Sequence, residues 1–578
     1  MSDSKTSTNI ARNLDRAAHS HMARFTSGMS PVSMVGAFTD WWIHLAMSPG
    51  KRLELATKAA DHWMQLNQQA LNCMQIQSEP CVEPLPQDRR FRAESWQQWP
   101  YALIYQSFLL NQEWWQCATT NVAGVTEHHE NQVTFAVRQI LDVLSPSNFL
   151  LTNPEVLHTA IKSGGASLMQ GTRHRVEDAV RLLTQQPLPG TEKFRPGHEV
   201  AITPGKVVFR NDLIELIQYT PQTATVFAEP VLVVPSWILK YYILDLSPHN
   251  SMVKYLLEKG HTVFMVSWRN PNASDRDLGL NDYLKKGVMA AIDTVAQIVP
   301  QQKIQAVGYC LGGTLMGMAA ALMARSKDDR LKSLTLLAGA LDFTKPGELG
   351  LFIDESQLAF LDSMMSKQGY LDGKQMSNTF TLLGSRDLLW SRREREYLLG
   401  ERQPVSDLTA WSSDLTRMPY RQHSEYLRDL YLKNDLAEGR YEVDGKPIAL
   451  SDIRVPIFAL GTQRDTVTPW LAVYKVHQLT PNVDITFCLT TGGHNVGVVN
   501  PPGPGVKRGF QLRTLVSADA FVDPETWAAT TPSQDGSWWP AWEDWLRLHA
   551  GKRGELPPLG SKVHPPLEDA PGRYVLIH

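Results

Sequence analysis

Along the first third of the chain, apolar positions recur every three to four residues. Phe38, Trp41, Trp42 and Leu45 share one helical face, Ser48-Pro49-Gly50 interrupts it, and residues 53–74 resume an amphipathic pattern. Ser78-Glu79-Pro80 and Pro84-Leu85-Pro86 mark a linker, and residues 93–190 return to helical spacing, with breaks at Ser145-Pro146-Ser147 and Thr152-Asn153-Pro154. Residues 1–30 are rich in Ser, Thr and Asn and weakly periodic, so disorder is expected there. The pattern predicts a helical N-terminal domain over residues 31–200.

Near residue 200 the period changes. The runs at 206–209 and 214–219 read as a β-hairpin turning at Asn211-Asp212. Apolar strand-like runs at 231–234, 262–267, 304–307 and 334–338 then alternate with helical stretches at 249–259, 280–298 and 311–324. That order predicts a mostly parallel sheet with helices on both faces, an α/β fold. The alternation stops after Phe343, residues 341–445 are polar, aromatic and mostly helical, and strand character resumes at 455–460 and 484–489. Residues 201–578 are thus read as one catalytic domain with a cap insertion at about 341–445, either a moving lid or a fixed elaboration.

Composition narrows the function. The 578 residues are 43% apolar and 20% charged, with a net charge of −3 and no long basic run, so nothing points to nucleic acid. Five scattered cysteines, Cys73, Cys81, Cys117, Cys310 and Cys488, form no disulfide framework and no zinc spacing, which favours a reducing compartment and no metal or other cofactor. The N-terminus carries no apolar signal-peptide core. Residues 304–324 are uncharged and long enough to mimic a transmembrane segment, but they read as buried strand, tight turn and buried helix. Seventeen tryptophans suit large apolar surfaces, and Trp41, Trp42 and Trp63 give the N-terminal helices apolar faces. Those faces suit an ordinary core, or packing on the catalytic domain, a second subunit or a polymer surface.

The turn Gly308-Tyr309-Cys310-Leu311-Gly312-Gly313 has the form of a nucleophile elbow with cysteine as the nucleophile. Small residues at Gly308, Gly312 and Gly313 let strand, turn and helix pass closely. Cys310 then stands at a helix N-terminus, where the dipole favours thiolate, and the Leu311 N–H faces a developing oxyanion. In such a fold an acid and a histidine follow later strands. Asp465 comes just after the run at 455–460 and His494 just after that at 484–489, separated by 155 and 29 residues along the series Cys310, Asp465, His494.

From residue 85 to 550 the chain resembles the polyhydroxyalkanoate synthases, bacterial polyester polymerases, and their class I type most. The resemblance rests on Asp88-Arg89-Arg90-Phe91, Leu144-Ser145-Pro146-Ser147-Asn148-Phe149, Thr203-Pro204-Gly205-Lys206 and Val266-Ser267-Trp268-Arg269-Asn270-Pro271. It continues through the lipase-like box at 308–313, Gly461 to Asp465, His494 to Pro502 and Gly536-Ser537-Trp538-Trp539-Pro540. Two stretches depart from it. Where the family carries Pro-Pro-x-Ile-Asn-Lys, this chain has Val234-Pro235-Ser236-Trp237-Ile238-Leu239-Lys240, so Leu239 replaces an asparagine beside the second oxyanion donors, Trp237 and Ile238. Gly384 to Trp390 also differs in its first residues.

The resemblance implies an α/β-hydrolase fold and polymerisation of (R)-3-hydroxyacyl-CoA, short-chain 3-hydroxybutyryl-CoA in particular, with CoA released through a Cys310 acyl-enzyme. His494 would take the thiol proton, and Asp465 would either orient His494 or help activate the incoming hydroxyl. It also implies a cytoplasmic homodimer on polyester granules. The same residues would serve a thioesterase or a polyester depolymerase, with water as the acceptor, and a catalytically silent granule coat is the alternative of another class.

Overall fold

The computed structural model describes residues 14–16, 18–19, 21–22, 26, 29–72, 80–85, 88–184, 186–385, 389–505 and 507–578. The expectation for residues 1–30 falls largely outside these, as do Cys73 and the Arg386-Asp387-Leu388 part of the divergent stretch. The chain divides into two compact units.

The helical unit takes residues 23–189 together with 377–404. Helix α1 (Pro31–Met47) is capped by Ser30, and α2 (Pro49–Asn72) starts one residue after it ends. Proline needs no donor in a first turn, so Pro49 opens α2 and the expected interruption shrinks to Ser48. Helices α3 (Tyr101–Thr119), α4 (Glu127–Val143), α5 (Pro154–Lys162) and α6 (Ala166–Leu183) follow. Trp41 is core: it packs with Ala37, Val133 and Val137, and its indole N–H donates to Ala118 O at 2.9 Å. Trp42 and Trp63 are 64% and 67% exposed.

Residues 377–404 belong to the predicted insertion by chain order but cluster with these helices. Asn153 Nδ2 donates to Glu394 Oε1 at 2.6 Å, and a Cβ on Gly171 would lie 2.1 Å from Tyr397 O. The boundary between the units falls after Pro189, and the insertion is shared between them, a partition set by such contacts rather than by local pattern.

The other unit takes residues 190–376 and 405–578, with the described part of 1–22. Its centre is an eleven-stranded sheet. The hairpin strands β1 (Gly205–Arg210) and β2 (Ile214–Tyr219) come first, then β3 (Val231–Val234), helix α7 (Met252–Glu258) and β4 (Val263–Trp268). After a turn of π-helix at Tyr283–Met289, helix α8 (Ala290–Ile298) leads to β5 (Ile304–Tyr309), helix α9 (Leu311–Arg325) and β6 (Leu331–Leu337). Beyond the insertion come β7 (Ile457–Thr462), β8 (Ile485–Thr490), the short helix α10 (His494–Val498), β9 (Gly509–Leu515), β10 (Ser533–Asp535), helix α11 (Trp539–Leu548) and β11 (Glu568–Asp569).

The strand order is β10-β9-β8-β7-β6-β5-β3-β4-β2-β1-β11. The six strands from β8 to β4 are mutually parallel, and the remaining strands add antiparallel at both edges. Every residue of β3, β4, β5, β7 and β8 is buried, which is why they read as continuous apolar runs. The chain steps outward from β3 to β4, then returns past β3 to form β5. This reversal makes the C-terminal ends of β3 and β5 a topological switch point, where such sheets open a crevice. Residues 304–324 fold as β5, a turn and α9, and among the described residues no helix is long and apolar enough to cross a membrane.

Candidate active site

Cys310 follows β5 directly with φ 53° and ψ −122°, a strained conformation for a side-chain-bearing residue, costing roughly 1–3 kcal/mol. The glycines around it show what the strain serves. A Cβ on Gly308 would lie 2.4 Å from Gly313 Cα, and one on Gly312 would lie 2.0 Å from Val234 O. A Cβ on Gly313 would touch Gly339 Cα at 3.0 Å, beside the end of β6. Each glycine thus admits a different neighbour: the returning helix, the loop after β3, and the loop after β6.

Gly312 therefore seats the elbow against Val234-Pro235, the start of the loop that carries Trp237 and Ile238. The Ile238 N–H donates to Ser236 Oγ at 3.1 Å, so it is already engaged. Among the described residues the Trp237 and Leu311 N–H groups meet no acceptor; Leu311 belongs to the elbow itself, and Trp237 follows by two residues the Val234-Pro235 pair that Gly312 touches. Leu239 holds φ 67°, a left-handed conformation that asparagine tolerates better than leucine. Its N–H donates to Thr416 Oγ1 at 2.8 Å and its side chain packs on the central core, which offsets the cost.

His494 opens α10 just beyond β8, and Asp465 follows β7 by three residues. The two meet: His494 Nδ1 and Asp465 Oδ2 are 2.8 Å apart. Asp465 is fully engaged, with Oδ1 accepting from the Val467 and Thr468 N–H groups at 2.9 and 2.8 Å and Oδ2 accepting from Thr462 Oγ1 at 3.0 Å. That leaves the carboxylate one orientation, towards the imidazole. Cys310 stands close enough to His494 to act on its titration. Burial alone opposes the imidazolium, but Asp465 and Cys310 outweigh it and hold the imidazole pKa well above its usual value. Asp342 also follows a sheet strand, but it is committed to Lys475 Nζ at 2.8 Å and Asn434 Nδ2 at 3.2 Å.

Several residues that local pattern does not single out fix this arrangement. Trp538 and Trp539 are fully buried, and their indole N–H groups donate to the carbonyls of Gly497 and Val498, each at 2.9 Å. These are carbonyls that the five-residue α10 cannot satisfy internally, so the tryptophans cap the histidine's own helix. Tyr309 Oη donates to Asn495 Oδ1 at 2.7 Å, which ties the elbow to the same helix. The only signal of the tryptophans' role is their motif near the C-terminus, far from His494 in sequence.

Part of the insertion comes near the nucleophile. A π-helical turn, Tyr426–Leu432, brings Tyr426 and Tyr431 into the electrostatic neighbourhood of Cys310. The two phenols share a hydrogen bond of 3.0 Å, Tyr426 packs edge-on to Trp237 at 5.8 Å, and Phe343 lies 4.7 Å from the Tyr431 ring. Burial drives both phenol pKa values up, so they remain neutral donors. Cys310 thus has aromatic side chains in its neighbourhood. Among the described residues, no group of three or more His, Cys, Asp or Glu side chains is placed to hold a metal.

Comparison with known proteins agrees with this architecture. Residues 87–256 match the family "Poly-beta-hydroxybutyrate polymerase (PhaC) N-terminus", residues 9–51 match "Poly-beta-hydroxybutyrate polymerase N terminal", and residues 229–501 match "alpha/beta hydrolase fold". The chain is 39% identical to the poly(3-hydroxyalkanoate) polymerase of Methylorubrum extorquens, over 91% of this chain and 87% of that one. It is 36% identical to the Rhizobium etli polymerase subunit, over 94% and 86%, and 38% identical to that of Cupriavidus necator, over 84% and 83%. With identities of this size across nearly the whole length of each partner, the chain belongs to the poly(3-hydroxyalkanoate) polymerases, acyltransferases built on the α/β-hydrolase fold.

Proposed function

We propose that Cys310, His494 and Asp465 act as a nucleophile, base and orienting acid that polymerise (R)-3-hydroxyacyl-CoA, with 3-hydroxybutyryl-CoA as the preferred monomer. The observation that supports this reading is the 2.8 Å contact of His494 with a fully engaged Asp465, with Cys310 acting electrostatically on the same imidazole, all three at the C-terminal ends of parallel strands. His494 takes the Cys310 proton, and the thiolate attacks the thioester carbon. The carbonyl oxygen collects negative charge against the Leu311 and Trp237 N–H groups. As the C–S bond to CoA breaks, His494 returns the proton to the departing sulfur, leaving the acyl group on Cys310. The 3-hydroxyl of another unit then attacks an acyl thioester: its proton passes to His494, the ester C–O bond forms, and the released thiolate takes the proton back. Asp465 keeps His494 in one tautomer and orientation through both halves.

Water must be kept from the acyl-enzyme, or each turnover would end in hydrolysis. Trp237, Tyr426, Tyr431 and Phe343 supply the apolar cover. The reading extends to a cytoplasmic homodimer at the granule surface, supported by the exposed Trp42 and Trp63 of α1 and α2. Replacing both with glutamine should weaken granule attachment or dimer formation and leave CoA release per subunit unchanged.

The experiment is CoA release from 3-hydroxybutyryl-CoA, followed together with insoluble polymer. Wild type should release CoA and deposit polyester in step. Cys310→Ala should do neither while keeping the fold, and Cys310→Ser should lose most activity, because a hydroxyl is far harder to ionise than a thiol. CoA release accompanied only by free 3-hydroxybutyrate would replace this reading with a hydrolase.

A further inference from the structure

Lys240 closes the loop that starts at Val234-Pro235, against which Gly312 of the elbow packs, and it is a charged residue only 3% exposed. Its ammonium donates to Ile577 O at 2.5 Å, and Asn270 Nδ2 reaches the same carbonyl at 3.3 Å. Its own carbonyl accepts from Trp411 Nε1 at 2.7 Å, while the preceding N–H, that of Leu239, is bound by Thr416 Oγ1. Residues 411–416 of the insertion and 577 near the C-terminus therefore grip two consecutive residues of one loop. Asp414, on the same strap, accepts from Tyr242 Oη at 2.9 Å and faces His578 Nδ1 at 3.5 Å.

A buried ammonium is a costly way to hold a loop, since it gives up hydration that apolar packing would not. Here the ammonium's hydrogen bond goes to a backbone carbonyl 337 residues away in sequence, with the Asp414 carboxylate near enough to favour its charge. Such a bond fixes direction as well as position. The loop it fixes begins at Val234-Pro235, the atoms that Gly312 touches, and carries the free Trp237 N–H between them and Lys240.

We propose that Lys240 is a positioning residue: its bond to the Ile577 carbonyl holds the loop at 234–240 so that the Trp237 N–H stays aimed at the acyl oxygen. The tail around residue 577 thereby becomes part of the support of the oxyanion site. This rests on the thioester chemistry proposed above.

The test compares wild type with Lys240→Met and with the double variant Lys240→Met/Asp414→Asn, in which no carboxylate is left facing an absent ammonium. Three quantities are read in each: kcat and KM for CoA release, the alkylation rate of Cys310 by iodoacetamide, and backbone hydrogen exchange over 234–240. Alkylation needs the thiolate but passes through no oxyanion, so it reports on Cys310 and His494 alone. The expected result is a kcat lower by roughly 10- to 100-fold, the loss that a misplacement of about 1 Å brings, with KM changed less than about threefold. Alkylation should keep its wild-type rate, and exchange over 234–240 should quicken at least about tenfold. The double variant should keep the wild-type melting temperature within a few degrees while retaining the kcat loss. Turnover within twofold of wild type, unchanged exchange at 234–240, or alkylation slowed in parallel with turnover would each overturn the proposal. A wild-type protein that alkylates normally yet releases no CoA would instead sink the proposed function, and the exchange measurement would still decide the anchor.

Discussion

Gly312→Ala would place a Cβ 2.0 Å from Val234 O and 2.6 Å from Pro235 O. Both obstacles are backbone atoms, so no side chain can swing aside. An ordinary Cβ contact begins near 3.4 Å, and the elbow and the β3 loop must therefore part by more than 1 Å. Overpacking of this kind costs about 1–3 kcal/mol, of which the better helix propensity of alanine returns at most about 1 kcal/mol. The larger effect is on geometry. The gap opens between the Leu311 N–H on one side and the Trp237 N–H on the other, so the two donors can no longer converge on one oxygen. A displacement of about 1 Å is enough for a rate loss of about 10²-fold. Urea unfolding should show the modest destabilisation, CoA release should show the hundredfold loss, and iodoacetamide should still find Cys310. A folded Gly312→Ala protein turning over within threefold of wild type would show that the two N–H groups do not act together.

The raised His494 pKa sets a pH signature. Its ion pair contributes stability that is complete below the ordinary imidazole value of 6.5 and is lost as pH rises through the higher native value. Asp465→Asn should therefore lower the melting temperature most at about pH 6 and by less as pH rises above that; a drop that grows as pH rises would contradict the pairing. Leu239→Val puts a β-branched residue at φ 67° and should cost at least about 1 kcal/mol in chemical denaturation, whereas Leu239→Asn relieves the backbone as it loses packing and should change stability by less than that. Gly36 lies inside α1 with open space where its Cβ would be, so Gly36→Ala should stabilise the helical unit by about 0.5–1 kcal/mol; a loss measured in urea would refute the helix there.

Strands β3 to β8 are legible in the chain because they are buried on both faces and so carry apolar runs that no amphipathic helix would. The candidate site is legible for a related reason: Cys310, Asp465 and His494 each stand within a few residues of a strand end, so a strand map is also a map of the site. Partnerships made only at long range leave no such mark. Strand β11 is two residues long, and its pairing of Lys206 with Asp569 and Val207 with Glu568 has no local periodicity behind it. The π-helical turn that carries Tyr426 and Tyr431 departs from the 3.6-residue repeat, so its facing cannot be read from helical spacing. The caps on α10 come from Trp538 and Trp539, 41 residues downstream. Leu239 shows the converse, since an apolar residue in a family asparagine position hides a left-handed backbone that only coordinates reveal.

The pairing of β1 with β11 also sets an order of events during synthesis. Glu215, in β2, is completely buried, and its carboxylate accepts from the Arg573 and Tyr574 N–H groups, 358 and 359 residues later. Until that last stretch leaves the ribosome, Glu215 has Arg210 at hand but lacks those two backbone donors, and the edge of β1 is an open template for any passing strand. At about 5–20 residues per second, the wait is roughly 20–70 s. The sheet's first edge is therefore its last to be sealed. A chain stalled before residue 568 would present to a crowded cell the very edge that invites aggregation, which gives a chaperone a defined window and a defined strand to shield.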